Sequence, residues 1–154
     1  MGVGKTTVCQ KLKMLLNDSV FLDGDWCWDM NPFKVTDETK AMVMDNICHI
    51  LNNYIHCSAF DNIIFCWVIH QQSIINDIVS RLDTNNCEVK LISLICSEKQ
   101  LIKRLQKDVD AKVREHDIIE RSVKRLPLYD ELKTIKIDVS DISADEAAKV
   151  ISEM

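Results

Sequence analysis

Gly4-Lys5-Thr6-Thr7 stands directly ahead of a run that carries Val8, Leu12, Leu15 and Leu16 at helical spacing. With Gly2 and Val3 before it, this is the closing half of the pattern G-x-x-x-x-G-K-[ST]. The chemistry of that order is phosphate binding. Glycines let the backbone curl until its N–H groups point inward at phosphate oxygens. The following helix adds its positive N-terminal end. Lys5 supplies a mobile charge for the β and γ phosphates, and the Thr6 hydroxyl is a ligand for Mg²⁺. The tripeptide alone is common; the amphipathic helix behind it gives it meaning.

Leu22-Asp23-Gly24-Asp25-Trp26 closes a short apolar run. Two carboxylates two residues apart, with a glycine for the turn, suit a metal ion and a hydroxyl. One can hold Mg²⁺ through water while the other takes a proton from an acceptor alcohol. The blander reading is a polar turn at the end of a strand. A third stretch, from Arg104 to Tyr129, is dense in basic residues within a chain of net charge -5. It includes Lys107, Lys112, Arg114, Arg121, Lys124 and Arg125. Arginines offset the charge of a phosphoryl-transfer transition state, and a closing lid excludes water. The alternative is a solvated helix face whose charges pair locally with Asp108, Asp110, Glu115 and Glu120. Trp26, Trp28 and Trp67 fall near predicted strand ends, where an indole either stacks on a ring or lines the core.

The elements that must hold these residues alternate along the chain. Helices are expected over Thr7–Leu16, Asp37–Ile55 with Thr36 or Asp37 as cap, Gln72–Leu82, Ser97 to about Val109, and Ser143–Met154. Ser143 and Glu146 form a capping box for the last. Strands are expected over Ser19–Asp23, Asn62–Val68, Glu88–Cys96 and Thr134–Val139. Strand–helix alternation predicts an α/β domain over residues 1–154, with a parallel sheet and helices on both faces. Ligands in such sheets bind outside the carboxyl ends of the strands.

Composition narrows the class. Hydrophobic residues at 47% and charged residues at 28% exclude a disordered chain. No apolar run approaches the roughly 18 residues of a membrane helix, and the N-terminus does not read as a signal peptide. The mixed, net acidic charge argues against a basic nucleic-acid surface. Seven irregularly spaced cysteines without a C-x-x-C pair predict reduced thiols in a cytoplasmic protein. His49, His56, His70 and His116 show no zinc spacing with them. Only three glycines occur, Gly2, Gly4 and Gly24, and all three lie in the stretches described above.

The chain resembles the P-loop kinases of the nucleoside/nucleotide kinase, shikimate kinase and chloramphenicol phosphotransferase group. Gly4-Lys5-Thr6, the Asp23-Gly24-Asp25 strand end, the Arg104 helix, the Arg114 segment and Arg125-x-Pro-x-Tyr129 carry the likeness. The resemblance implies a three-layer P-loop kinase fold and transfer of the γ-phosphoryl group of ATP, with Mg²⁺, to a small-molecule alcohol or nucleotide. Gly2, Val3, Gly4, Lys5, Thr6 and Thr7 would bind the nucleotide, with Arg104 near its adenine. Thr6 and Asp23 would serve the metal. Asp25 would be the base, Lys5 and Arg114 would act on the phosphates, and Asp25, Trp26 and Arg125 would contact the acceptor. Residues of about 108–126 would form the lid.

Departures are equally plain. The first glycine of the motif would fall two residues before Met1, and the strand that delivers the loop is missing. We therefore expect a chain truncated at its N-terminus, with unpaired strand edges that favour association. After Asn62–Val68 come Ile69 and His70, with neither the acidic residue of many P-loop proteins nor a Gly-rich acceptor pocket. Two rivals remain at this point: a P-loop ATPase without a small-molecule acceptor, and an inactive remnant.

Overall fold

The computed structural model describes residues 1–115 and 117–154; His116 lies outside the described residues. Seven α-helices and four strands follow one another in these residues: α1 (Lys5–Leu15), β1 (Ser19–Asp23), α2 (Asp37–Ile55), β2 (Asn62–Cys66), α3 (Gln72–Ser80), β3 (Ile92–Ile95), α4 (Glu98–Asp110), α5 (Asp117–Val123), α6 (Leu126–Asp130), β4 (Ile135–Asp138) and α7 (Ala144–Ser152). A 3₁₀ turn over Gly24–Trp28 follows β1.

Strand pairing is parallel throughout. β1 pairs with β2 in a register that sets Asp23 beside Cys66, and β3 pairs with β4 with Ile92 beside Ile135. Among the described residues the two pairs are separate sheets, and β2 is not hydrogen-bonded to β3. The alternation of side chains along the first pair builds two layers. Phe21, Ile64 and Cys66 face a core completed by Val8 and Leu12 of α1, Leu101 and Leu105 of α4, and Ala147 and Ala148 of α7. Leu22, Ile63 and Phe65 face the other way, onto Val43, Ile47 and Leu51 of α2 and Ile78 of α3. Helices therefore cover both faces, which gives the three-layer α/β arrangement expected from the alternation of strands and helices.

Local signals explain most boundaries. The side chain of Thr36 caps α2 through the N–H of Thr39, and the Thr39 hydroxyl accepts from the Thr36 N–H at 2.8 Å. α7 begins with the expected box, in which Ser143 and Glu146 satisfy each other's backbone N–H. Ser97 caps α4. The strands are shorter than expected, for a common reason. β2 stops at Cys66, not Val68, because its partner β1 stops at Asp23. β3 starts at Ile92, not Glu88, because β4 first offers a partner at Ile135; Val89 is exposed and Lys90 pairs with Glu88 at 3.3 Å. The basic stretch after α4 forms two short helices, α5 and α6, the second with its proline in the first turn.

Leu105 has no exposed surface and belongs to the first core. Leu105→Ala should lower stability by about 2–5 kcal/mol. Urea unfolding should show a lower midpoint with an unchanged slope.

Candidate active site

α1 begins without a side-chain cap. Gly4 occupies the N-cap position with φ 93°, a left-handed backbone that a side chain resists, and no acidic residue lies in the first turn. The N–H groups of that turn have no intrahelical acceptor, so the helix start is an open, positive end. The Gly4 position is crowded by nothing: a Cβ there would meet no atom within 4 Å. Its glycine answers the dihedral, not the space.

Asp23 closes β1 and is 5% exposed. Three groups donate to its carboxylate. The Thr6 hydroxyl reaches Oδ2 at 2.7 Å, the Cys66 thiol reaches the same oxygen at 3.5 Å, and the Asp25 N–H reaches Oδ1 at 3.0 Å. The last bond is the cap of the 3₁₀ turn that aims Asp25 away from the strand. α1, β1 and β2 are thereby joined at one carboxylate.

Around this junction lies a cavity of about 380 Å³. Gly2, Gly4, Lys5, Thr6, Thr7, Asp23, Asp25, Arg104 and Arg114 all line it. Val3 lies on an adjoining cavity of about 270 Å³, walled by Val8, Val139, Ile142, Ala144 and Ala147 and shared with Gly4, Thr7 and Arg104. Arg104 is tied to backbone, donating to the carbonyls of Val3, at 3.2 Å, and of Val139. It clamps the glycine loop to the end of β4. Arg114 is paired with Asp108 at 3.0 Å on the cavity wall. Trp26 and Arg125 are not among the lining residues. Trp26 is 55% exposed and stands edge-on to Phe21, 5.4 Å between ring centres, and Arg125 sits at the start of α6. Cys66, Trp67 and Val68 also line the cavity, with Met1, Lys107 and Asp108; of these, Met1, Cys66 and Val68 have no site role read from sequence, where Trp67 has a stacking or core place and Lys107 and Asp108 a place in the basic stretch. The signal for the first three was present, since they follow the carboxyl end of a buried strand.

Charge in the cavity is strained in both directions. Burial pushes the Lys5 ammonium below its ordinary range, while Asp25 and Asp23 pull it back. Burial, and then the negative charge of Asp23, push the Asp25 carboxyl up; Lys5, the Trp67 indole N–H and Arg114 oppose this. The Cys66 thiol is held well above the usual thiol range, first by contact with Cys9 and then by burial. The Nδ1 of His70 is buried without a hydrogen-bond partner, and burial, then Arg125, lower that imidazole.

A positive helix end, a buried ammonium and oxygen donors at one cavity suit a phosphate ester with a hard cation. Asp23 and Thr6 offer a carboxylate and a hydroxyl, the hard oxygen ligands that Mg²⁺ takes. Among the described residues no group of three or more His, Cys, Asp or Glu is placed to hold a metal by itself. Among the described residues no helix is long and apolar enough to cross a membrane.

Comparison with known proteins bears on the family and the fold. A family described as AAA domain matches residues 1–125. The tunicamycin resistance protein of Deinococcus radiodurans is similar in structure, with TM-score 0.69 and 16% identity over 96% of this chain and 88% of that one. A gluconokinase from Sinorhizobium meliloti is similar with TM-score 0.64 and 16% identity over 99% of this chain and 89% of that one. No curated protein sequence matches.

The raised Asp25 carboxyl gives a sign to test. A carboxylate whose folded pKa lies above its unfolded value, near ~3.9, destabilises the fold when ionised. Asp25→Asn should therefore raise the melting temperature of the metal-free protein at neutral pH. The difference should shrink as pH falls through the folded pKa and vanish below the unfolded one. Thermal melts from pH 3 to 7 in the presence of a chelator, with no difference at any pH, would remove the strain.

Proposed function

The chain belongs to the AAA domain family, and from that premise we propose that it is an ATP-dependent phosphotransferase acting on a small-molecule alcohol or nucleotide. The observation that carries the reading is the convergence at one cavity of the open start of α1, Lys5, the Thr6–Asp23 pair and Asp25. The kinase fold it shares with the gluconokinase supports it. A cytoplasmic setting suits both ATP and seven free thiols.

In this reading the first-turn N–H groups of Lys5, Thr6 and Thr7, with Gly2 and Gly4, cradle phosphate oxygens. Lys5 and Arg114 offset the charge that builds on the transferred group. Thr6 and Asp23 hold Mg²⁺, which when bound supplies further neutralisation of the phosphates. The apolar cavity between Val3, Val139 and Ile142 takes the base. Asp25 accepts the proton of the acceptor hydroxyl as the hydroxyl oxygen bonds to the γ-phosphorus and the bond to the β–γ bridging oxygen breaks, releasing ADP; its raised carboxyl is a better base than an ordinary aspartate. Release of Arg114 from Asp108 would let the segment of about 108–126 close over the site and exclude water. Trp26 and Arg125 contact the acceptor when that segment closes. Acceptor-dependent formation of ADP separates this reading from a plain ATPase, whose rate would ignore any added alcohol.

Two measurements test the reading. ATP with Mg²⁺ at ~100 times its Kd adds about 2.7 kcal/mol of apparent stability, a melting shift on the order of 5–10 °C. Lys5→Ala should abolish the shift; a shift that persists puts the nucleotide elsewhere. Amide hydrogen exchange in the segment around Arg114 should slow when ATP and an acceptor are both present. Equal exchange with and without ligands leaves that segment an ordinary surface stretch.

A further inference from the structure

α4 ends in a turn that a glycine usually makes, and here a lysine makes it. Ala111 is the C-cap, and Lys112 follows with φ 58°, a left-handed backbone that an L side chain resists. The Lys112 N–H donates to the Val109 carbonyl at 2.8 Å and the Val113 N–H to the Asp108 carbonyl at 2.9 Å, the two bonds of a Schellman motif. An apolar contact across the turn commonly completes that motif. Val113, the residue placed to make it, is 72% exposed. An ion pair stands in its place: the Arg114 Nε donates to the Asp108 Oδ2 at 3.0 Å. Asp108 therefore holds the turn twice, through its carbonyl and through its carboxylate. Asp108 and Arg114 both lie on the wall of the cavity that carries Lys5, Thr6 and Asp23.

We propose that Asp108 is an autoinhibitory residue: its carboxylate holds Arg114 on α4, and the phosphates of ATP must displace it to recruit that guanidinium. The proposal rests on the reading of the cavity as an ATP site. The pair is built to exchange. It engages Nε alone; among the described residues Nη1 and Nη2 have no hydrogen-bond partner. A phosphate oxygen can therefore take the outer edge of the guanidinium before Asp108 releases the inner one. The two side chains are 37% and 40% exposed, so solvent screens the pair and the hold is modest. The left-handed Lys112 keeps the held turn under strain, which release relieves. Against this, a phosphate entering beside the Asp108 carboxylate meets like charge. Apparent affinity is therefore discounted by the fraction of molecules in which Arg114 is still held.

Asp108→Asn keeps the shape of the side chain and the backbone bond and removes the charge. Titration with ATP and Mg²⁺ should show about threefold tighter binding, where loss of a merely structural pair would weaken it. In an Arg114→Ala background the same substitution should change the affinity by less than about 1.5-fold. Tightening that persists undiminished there is a through-space effect of charge and overturns the hold. An Asp108→Asn protein that binds ATP no more tightly than the wild type overturns it too. Lys112→Gly suits the backbone of the turn and acts from the other side. By relieving the strain of the held form it should weaken ATP binding about twofold, and unchanged or tighter binding in that variant also overturns the proposal. A wild-type protein that binds no ATP removes the site reading and this inference with it, whereas ATP binding that ignores Asp108 removes the inference alone.

Discussion

A buried carboxylate must be answered by donors or by positive charge, or it costs more than a fold can bear. At Asp23 the answers come from three directions. Thr6 brings the start of α1, Cys66 brings the end of β2, and the Asp25 N–H turns the chain off β1. Each bond is modest, yet together they fix where the glycine loop meets the sheet and which way the second carboxylate points. Lys5 adds a charge from one side, held below its ordinary range by burial yet drawn back toward protonation by the same carboxylates. The phosphate loop, the strand pair and the 3₁₀ turn have their relative positions because this one group needs all of them.

The most legible parts of the sequence were those governed by neighbours in the chain. α2 spans the residues that its apolar spacing and capping threonine indicate, and α7 starts at its capping box. The Gly4-Lys5-Thr6 turn and the Asp23–Asp25 strand end do come to one cavity. What could not be read was set by partners distant in sequence. Strand ends depend on where the paired strand stops, so Val68 and Glu88 fall outside their ladders although their own composition favours a strand. Arg104 lines the cavity, but its guanidinium serves two backbone carbonyls, a use that no spacing announces. Trp26 and Arg125 lie off the cavity wall, the first exposed against Phe21 and the second at the start of α6, places that depend on the fold of segments distant from the phosphate loop.

Trp67 shows the same limit from the other side. An aromatic after a buried strand is most simply a core or rim residue, and part of its ring is that. Its close approach to Gly24 depends on a glycine 43 positions earlier having no Cβ, which becomes visible only when the two segments are set side by side.

The parting of the strands into two pairs bears on how the molecule deforms. One plate, β1 and β2, carries the carboxylates, and the other, β3 and β4, ends beside the apolar cavity. A hydrogen-bonded ladder resists shear strongly, whereas packed side chains slide at little cost. Compliance is therefore concentrated along the seam between the plates, where α1 and the Arg104 clamp span it. A ligand with one end against Asp23 and the other against Val139 would act as a cross-brace, and the stiffness of the whole body would rise with occupancy of a single site.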